Sequence, residues 1–244
     1  MTQPLYFVPG FMCNAQLWQD VWPQLSAQFS PVHIDFALHH TMPGMLDDIK
    51  QKLDLDPVDL IGFSMGGYLS LRYAIDHPYA VKRLVLIGAT GHALSNEEQA
   101  LRDKILNYVK SNQYTGITRQ RMSKFVHPDN LDDRVGDTIR AMDKTLGKET
   151  LIAQMESSSH RPSLLEQAKT LDIPVLVVGA EQDQLVERDE IFRLAEHFRH
   201  AQVKMIDNCG HMSPLEAPTQ LAQIINEFLS GKQTSPSKET DEKV

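Results

Sequence analysis

Residues 61–74, "IGFSMGGYLSLRYA", set a serine among glycines, directly after an apolar run and directly before a helical pattern. Ser64 there packs nothing, and glycines in regular structure cost about 0.5–1 kcal/mol each. A geometric demand must outweigh that cost. Gly62-Phe63-Ser64-Met65-Gly66 fits G-x-S-x-G between a strand and a helix, the context of a nucleophile elbow. Such a turn lifts the serine hydroxyl above the sheet's edge at a helix N-terminus, where developing negative charge is favoured. Serine alone is a weak nucleophile. It needs a base, and the base needs an orienting acid. In chains built on such an elbow the order is Ser, then Asp/Glu, then His.

Downstream, "VLVVGAEQDQLV" places Asp183 just past a strand, and "NCGHMSPLEAP" places His211 in a loop before the last helix. Ser64, Asp183 and His211 therefore each fall where a strand ends in a loop, the edge at which parallel sheets collect their function. Glu181 and Asp207 are the competing acids. Among the other histidines, His77 precedes Pro78 at a helix end, His33 lies in a strand, and His197 and His200 lie on a surface helix. His92, His39 and His40 can reach a pocket but precede the acid in the chain. The developing oxyanion calls for two backbone N–H donors. Met65 supplies one, and Phe11, in the Pro9-Gly10-Phe11-Met12 loop after the first strand, supplies the other. Met12, His92, Arg119, Arg121 and Met212 are the candidates to line a substrate pocket.

The elements that must position these residues alternate. Strands are expected in "LYFVPG", "VHIDFA", "VDLIGF", "RLVLIGA", "IPVLVVGA" and "QVKMID". Helices are expected over Trp18–Leu25, with Pro23 near the start, over Met45–Leu53, over about Gly66–His77, near Asp189–His200 and over Leu215–Leu229. Strands alternating with helices imply an α/β fold, a parallel sheet of about six strands with helices on both faces. The rhythm breaks over 92–161, which holds helical patterns and no buried strand; Ser95 and Glu98 there form a capping-box pair. The core then spans 1–91 and 162–230, with 92–161 a helical cap inserted after the fourth strand. Residues 231–244, "GKQTSPSKETDEKV", read as a disordered tail.

Composition narrows the function. A net charge of −8 argues against nucleic-acid partners. No run approaches the ~20 apolar residues of a membrane span, and the start lacks the pattern of a secretory signal, so a cytoplasmic protein without a membrane partner is expected. Cys13 and Cys209 lie outside any CxxC pair, so neither a zinc site nor a disulfide framework is suggested and two reduced, non-catalytic thiols are expected. The whole negative excess lies outside the cap: residues 92–161 carry 11 Lys/Arg against 10 Asp/Glu. Arg102, Arg119, Arg121, Lys124 and Arg140 are accordingly candidates to hold a substrate carboxylate or phosphate, against the plainer reading of a solvated helical surface.

Together "FVPGF", "GFSMGG", "GAEQDQ" and "GHMSPLEAP" resemble, in order and spacing, the α/β-hydrolase superfamily over nearly the whole chain. The resemblance implies a Ser64–Asp183–His211 triad, a helical cap, and no metal or organic cofactor. The chain departs from the common pattern in three places. Pro9-Gly10 stands where many members carry His-Gly, "DFALHHT" replaces D-x-R-G-x-G, and "GAEQDQLVE" lacks the usual proline. It also resembles small hydrolases carrying "LPG" and "RPD"-like motifs, to which "HRPS" at 160–163 corresponds. The leading expectation is a serine hydrolase cleaving a carboxylic ester or related acyl bond of a small molecule. The alternatives are a C–C bond hydrolase or a lyase like those of the menaquinone pathway on the same site, and a non-enzymatic ligand receptor. Oligomeric state is not encoded in any motif.

Overall fold

The computed structural model describes residues 2–36, 41–53, 57–131 and 133–231. Six parallel strands form one sheet: β1 (Gln3–Val8), β2 (Phe29–His33), β3 (Val58–Phe63), β4 (Val81–Ile87), β5 (Val175–Ala180) and β6 (Ala201–Ile206), in the spatial order β2-β1-β3-β4-β5-β6. The central β3 and β5 are buried along their whole length, as strands covered on both faces must be. The one acid in β3, Asp59, is registered opposite Arg83 of β4 and accepts from its Nε at 2.7 Å.

Alternate side chains divide the core between the two faces. Leu5, Phe7, Ile61, Val85 and Ile206 face one side, under Leu221, Ile225 and Phe228. Tyr6, Val8, Leu60, Leu84 and Val177 face the other, under Met45, Ile49, Leu69 and Ile191. The covering helices are α1 (Met42–Lys52), α2 (Met65–Asp76), α7 (Arg188–Ala195) and α9 (Pro218–Leu229). Between β4 and β5 come α3 (Asn96–Ser111), α4 (Arg119–Met122), α5 (Asp133–Ser159) and, beside the sheet, the single turn α6 (Leu165–Ala168). The Ser95–Glu98 capping box opens α3 as expected. Gly147, at φ 76°, breaks α5 into two helices. Met122, Val126, Val135 and Met142 of this helical segment join the first face's core. Val109, Leu151 and Met155 pack on one another and on Phe11 and Met12. Among the described residues no helix is long and apolar enough to cross a membrane.

Several elements differ from the sequence expectation for local reasons. Trp18–Leu25 is not one helix but two 3-10 turns, Ala15–Trp18 and Trp22–Gln24. Pro23, interior to a longer helix, would remove a hydrogen bond and clash with the preceding turn. β2 stops at His33, because β1 ends at Val8 and only the Ile34 amide, bonded to Phe7 O, remains to be paired. Ala37, the last residue of the expected strand, lies outside the described residues, as do His39 and His40 and the tail from 232 onward. Helix α1 begins at Met42 because Thr41 Oγ1 caps the Gly44 amide. Helix α7 ends at Ala195, short of the expected His200. The last helix is split into α8 (Ser213–Glu216) and α9 at Ala217 (φ −134°, ψ 51°), where the following Pro218 disfavours the helical conformation.

Candidate active site

Ser64 sits between β3 and α2 with φ 52° and ψ −115°. That conformation costs on the order of 1–3 kcal/mol in a non-glycine residue. Two glycines make the turn possible. A Cβ on Gly66 would lie 2.3 Å from Pro9 O, and one on Gly62 would lie 2.5 Å from Gly66 O. The elbow therefore packs its backbone against the end of β1, the strand that leads into the Phe11 loop. The Ser64 amide is tied to Ile87 O at 2.8 Å, and the Ser64 carbonyl accepts from the Gly67 and Tyr68 amides.

The imidazole of His211 bridges the serine and the acid. Its Nε2 is 2.9 Å from Ser64 Oγ and its Nδ1 is 2.7 Å from Asp183 Oδ2. The Asp183 side chain is 2 % exposed. Its other oxygen accepts from the Leu185 and Val186 amides at 2.8 and 3.0 Å, a turn built on its own loop. A carboxylate out of water and fixed by two amides leaves its second oxygen aimed at Nδ1. That favours the tautomer whose bare Nε2 can take the serine proton. Of the rival acids, Glu181 is engaged by Arg188 at 3.2 Å, and Asp207 lies in the turn after β6.

Met65 is the first residue of α2, and Phe11 occupies the turn after β1. Neither amide has an acceptor among the described residues. The neighbouring Met12, at φ 53°, gives its amide to Gln154 Oε1 of α5 at 2.9 Å. Met212 is buried beside His211. His92 is not brought to this group: Glu190 takes its Nε2 at 2.6 Å and Ala93 O its Nδ1. Burial and hydrogen bonding shift that pair in opposite senses. The bond to Glu190 raises the His92 pKa, and the bond to His92 lowers that of Glu190. Arg119 and Arg121 are exposed, Arg119 donating to Leu131 O. Burial raises both thiols, Cys13 to about 12, and both cysteines are free and buried.

Two positioning groups escaped the sequence reading. Glu216 gathers four donors: the amides of Gly210 and His127 at 2.9 Å and Asn130 Nδ2 at 3.1 Å on Oε2, and the Met212 amide at 2.9 Å on Oε1. It thus holds the residues on both sides of His211 and staples them to the 125–130 segment, where Phe125 O takes the His211 amide at 2.8 Å. Gln182 exchanges bonds with Cys209 in both directions, joining the acid loop to the histidine loop. The signal was in plain view: an acid five residues after the histidine in "GHMSPLEAP", and an amide inside "GAEQDQ".

A family model for the alpha/beta hydrolase fold matches residues 27–218, and the chain belongs to that family. Its relatives are enzymes. It is 25% identical to the monoacylglycerol lipase ABHD6 of Bos taurus, over 95% of this chain and 77% of that one. It is 26% identical to a 2-hydroxy-6-oxo-2,4-heptadienoate hydrolase of Pseudomonas putida, over 92% and 86%. A thermophilic esterase of Thermogutta terrifontis superposes with a TM-score of 0.83 at 23% identity, over 94% and 90%. The chain is accordingly an enzyme of this fold, and the receptor alternative falls away.

Proposed function

We propose that the protein is a serine hydrolase of carboxylic esters or related acyl compounds, with Ser64, His211 and Asp183 as its triad. One observation carries this reading: the continuous hydrogen-bonded chain from Ser64 Oγ through His211 to Asp183 Oδ2. His211 Nε2 takes the Ser64 proton as Oγ attacks the acyl carbon. The carbonyl oxygen takes up the negative charge against the Phe11 and Met65 amides. His211 then protonates the leaving group, and Asp183 holds the imidazolium in place. Water, deprotonated by His211, attacks the acyl-enzyme and regenerates Ser64. The two thiols, both free and buried, stay outside this cycle.

A second reading has its own support. Beside the lipases, the relatives include two C–C bond hydrolases, the heptadienoate enzyme and a 2-hydroxymuconate semialdehyde hydrolase of Pseudomonas. The same serine and histidine would then act on a vinylogous diketone-type acid in place of an ester. A panel of p-nitrophenyl esters, acyl thioesters and 6-oxo-dienoates, each run with a Ser64→Ala control, tests both. The ester reading expects Ser64-dependent turnover in the ester or thioester arms. Turnover confined to the dienoates would move the assignment to C–C cleavage.

A further inference from the structure

Two guanidiniums lie where the helical segment rejoins the sheet, and neither meets a carboxylate among the described residues. Arg161 follows α5. Its Nη2 donates to Thr90 Oγ1 at 2.9 Å, its Cζ lies 4.7 Å from the centroid of the Tyr68 ring, and its Nε is buried without an acceptor. Arg102, on α3, gives one bond from Nη1 to Ser158 Oγ at 2.9 Å. Both side chains are half-buried. Burial first, and the charge of Arg102 next, bring the Arg161 pKa down to about 10. Glu98 and Glu190 attract Arg161 from beyond ion-pair distance, Glu98 attracts Arg102 likewise, and Arg121 adds a further repelling charge. Arginine does not relieve such a conflict by losing its proton, so an anion held between the two half-buried guanidiniums would relieve it.

The pair lies along the same edge of the sheet as the elbow. Tyr68 stands four residues after Ser64 on α2, about 6 Å along the axis. Thr90 comes two residues after Gly88, where a Cβ would meet His211 Cε1 at 3.4 Å. On the other side, Ser158 is one turn of α5 beyond Gln154, which holds the Met12 amide. We infer that Arg161 and Arg102 form a carboxylate-binding subsite, and that the acyl substrate handled at Ser64 carries a carboxylate remote from the bond that is cut. The substrate half of this statement rests on the serine-hydrolase reading, whereas the anion subsite does not. Two planar forks with free N–H groups match the two oxygens of a carboxylate. The nearby Glu98 and Glu190 penalise a doubly charged phosphate more than a singly charged group. Of the cap cations read from sequence, Arg140 is taken by Asp137 and Lys124 is exposed. Arg102 is retained, and Arg161, from the "HRPS" motif, is added.

The test has two arms. In the first, succinate, glutarate and adipate are titrated calorimetrically into Ser64→Ala protein. At least one should bind at a single site, and adding Arg161→Gln or Arg102→Gln should weaken it about 10- to 100-fold, the effect of losing a charge-assisted contact. Arg140→Gln serves as the control for charge alone. In the second arm, mono-p-nitrophenyl glutarate is compared with p-nitrophenyl valerate, and the ratio of their kcat/KM values should fall by a similar factor in either arginine variant. Binding of none of the three dicarboxylates, or equal binding by folded arginine variants, overturns the subsite. If Arg161→Gln does not fold, Arg102→Gln, which gives up one bond to Ser158, decides alone. Hydrolysis of both esters with an unchanged ratio removes the subsite and leaves the hydrolase reading standing. Arginine-dependent dicarboxylate binding without hydrolysis of either ester does the reverse.

Discussion

In the proposed mechanism the chemistry turns on one residue, Ser64, whose φ is 52°. Ser64 is held at positive φ by crowding around Gly62 and Gly66 and by its bond to Ile87 O, and it meets His211 at hydrogen-bond distance without rearrangement. If Ser64 and His211 act as a unit, as proposed, Ser64→Ala and His211→Ala should each lower kcat by about 10⁴–10⁶, with the double variant little worse. Losses that multiply would contradict a shared step. Asp183→Asn disrupts the bond proposed to set the imidazole tautomer, so it should cost about 10²–10⁴ in kcat, more than Glu181→Gln, whose carboxylate pairs with Arg188. Steady-state kinetics of the two variants checks the order, and the reverse order would reassign the acid. The buried thiols make a separate expectation. With both pKa values raised by desolvation, neither cysteine should react quickly with Ellman's reagent at pH 8 in the folded protein, while both should after denaturation. A fast-reacting thiol in the native state would show the burial to be wrong.

At the scale of elements, the site depends on loops that hold one another. Glu216 accepts from four donors, so Glu216→Gln sets an N–H₂ against N–H groups and should lower kcat about 10- to 100-fold while moving KM little. A fall in Tm with an unchanged kcat per folded molecule would make it a staple and nothing more. The His92–Glu190 bond joins the exit of β4 to α7. The His92 pKa is raised on folding, so its contribution is full below its unfolded value near 6.5 and is lost as pH rises through the folded value. The Glu190 pKa is lowered, so its contribution is lost as pH falls through the folded value, below its usual carboxylate range. The Tm advantage of the parent over His92→Gln should therefore peak between about pH 5 and 6.5 and shrink on both sides. A pH-independent difference would argue against the bond. Strands and the elbow were legible because their signals are local: fully apolar β3 and β5, and G-x-S-x-G between a strand and a helix. The breaks at Pro23 and Pro218 do not show in the apolar periodicity, which runs through both positions while proline interrupts the helix there. The role of Glu216 is not legible in its motif, since its four donors come together only when the 125–130 segment folds against the histidine loop.

In the whole molecule, two apolar faces cover the sheet, and the segment between β4 and β5 bonds to the loops of the site through Phe125 O on the His211 amide and Gln154 Oε1 on the Met12 amide. The fold followed from the alternation of strands and helices. The contacts of the inserted helices did not, because they are long-range: Gln154 reaches Met12 across 142 residues, and Arg161 reaches Thr90 across 71. Charge counting singled out the segment but gave five cations equal standing, and only packing separates Arg102 from the solvated ones. The central claim is that Ser64 is a nucleophile activated by His211, and it is tested most directly by mass spectrometry after exposure to a fluorophosphonate probe. The account predicts a single adduct, mapped to the peptide containing Ser64, formed in wild-type protein, absent in Ser64→Ala and at least ~10³-fold slower in His211→Ala. An adduct on another residue, or equal labelling rates with and without His211, would contradict it.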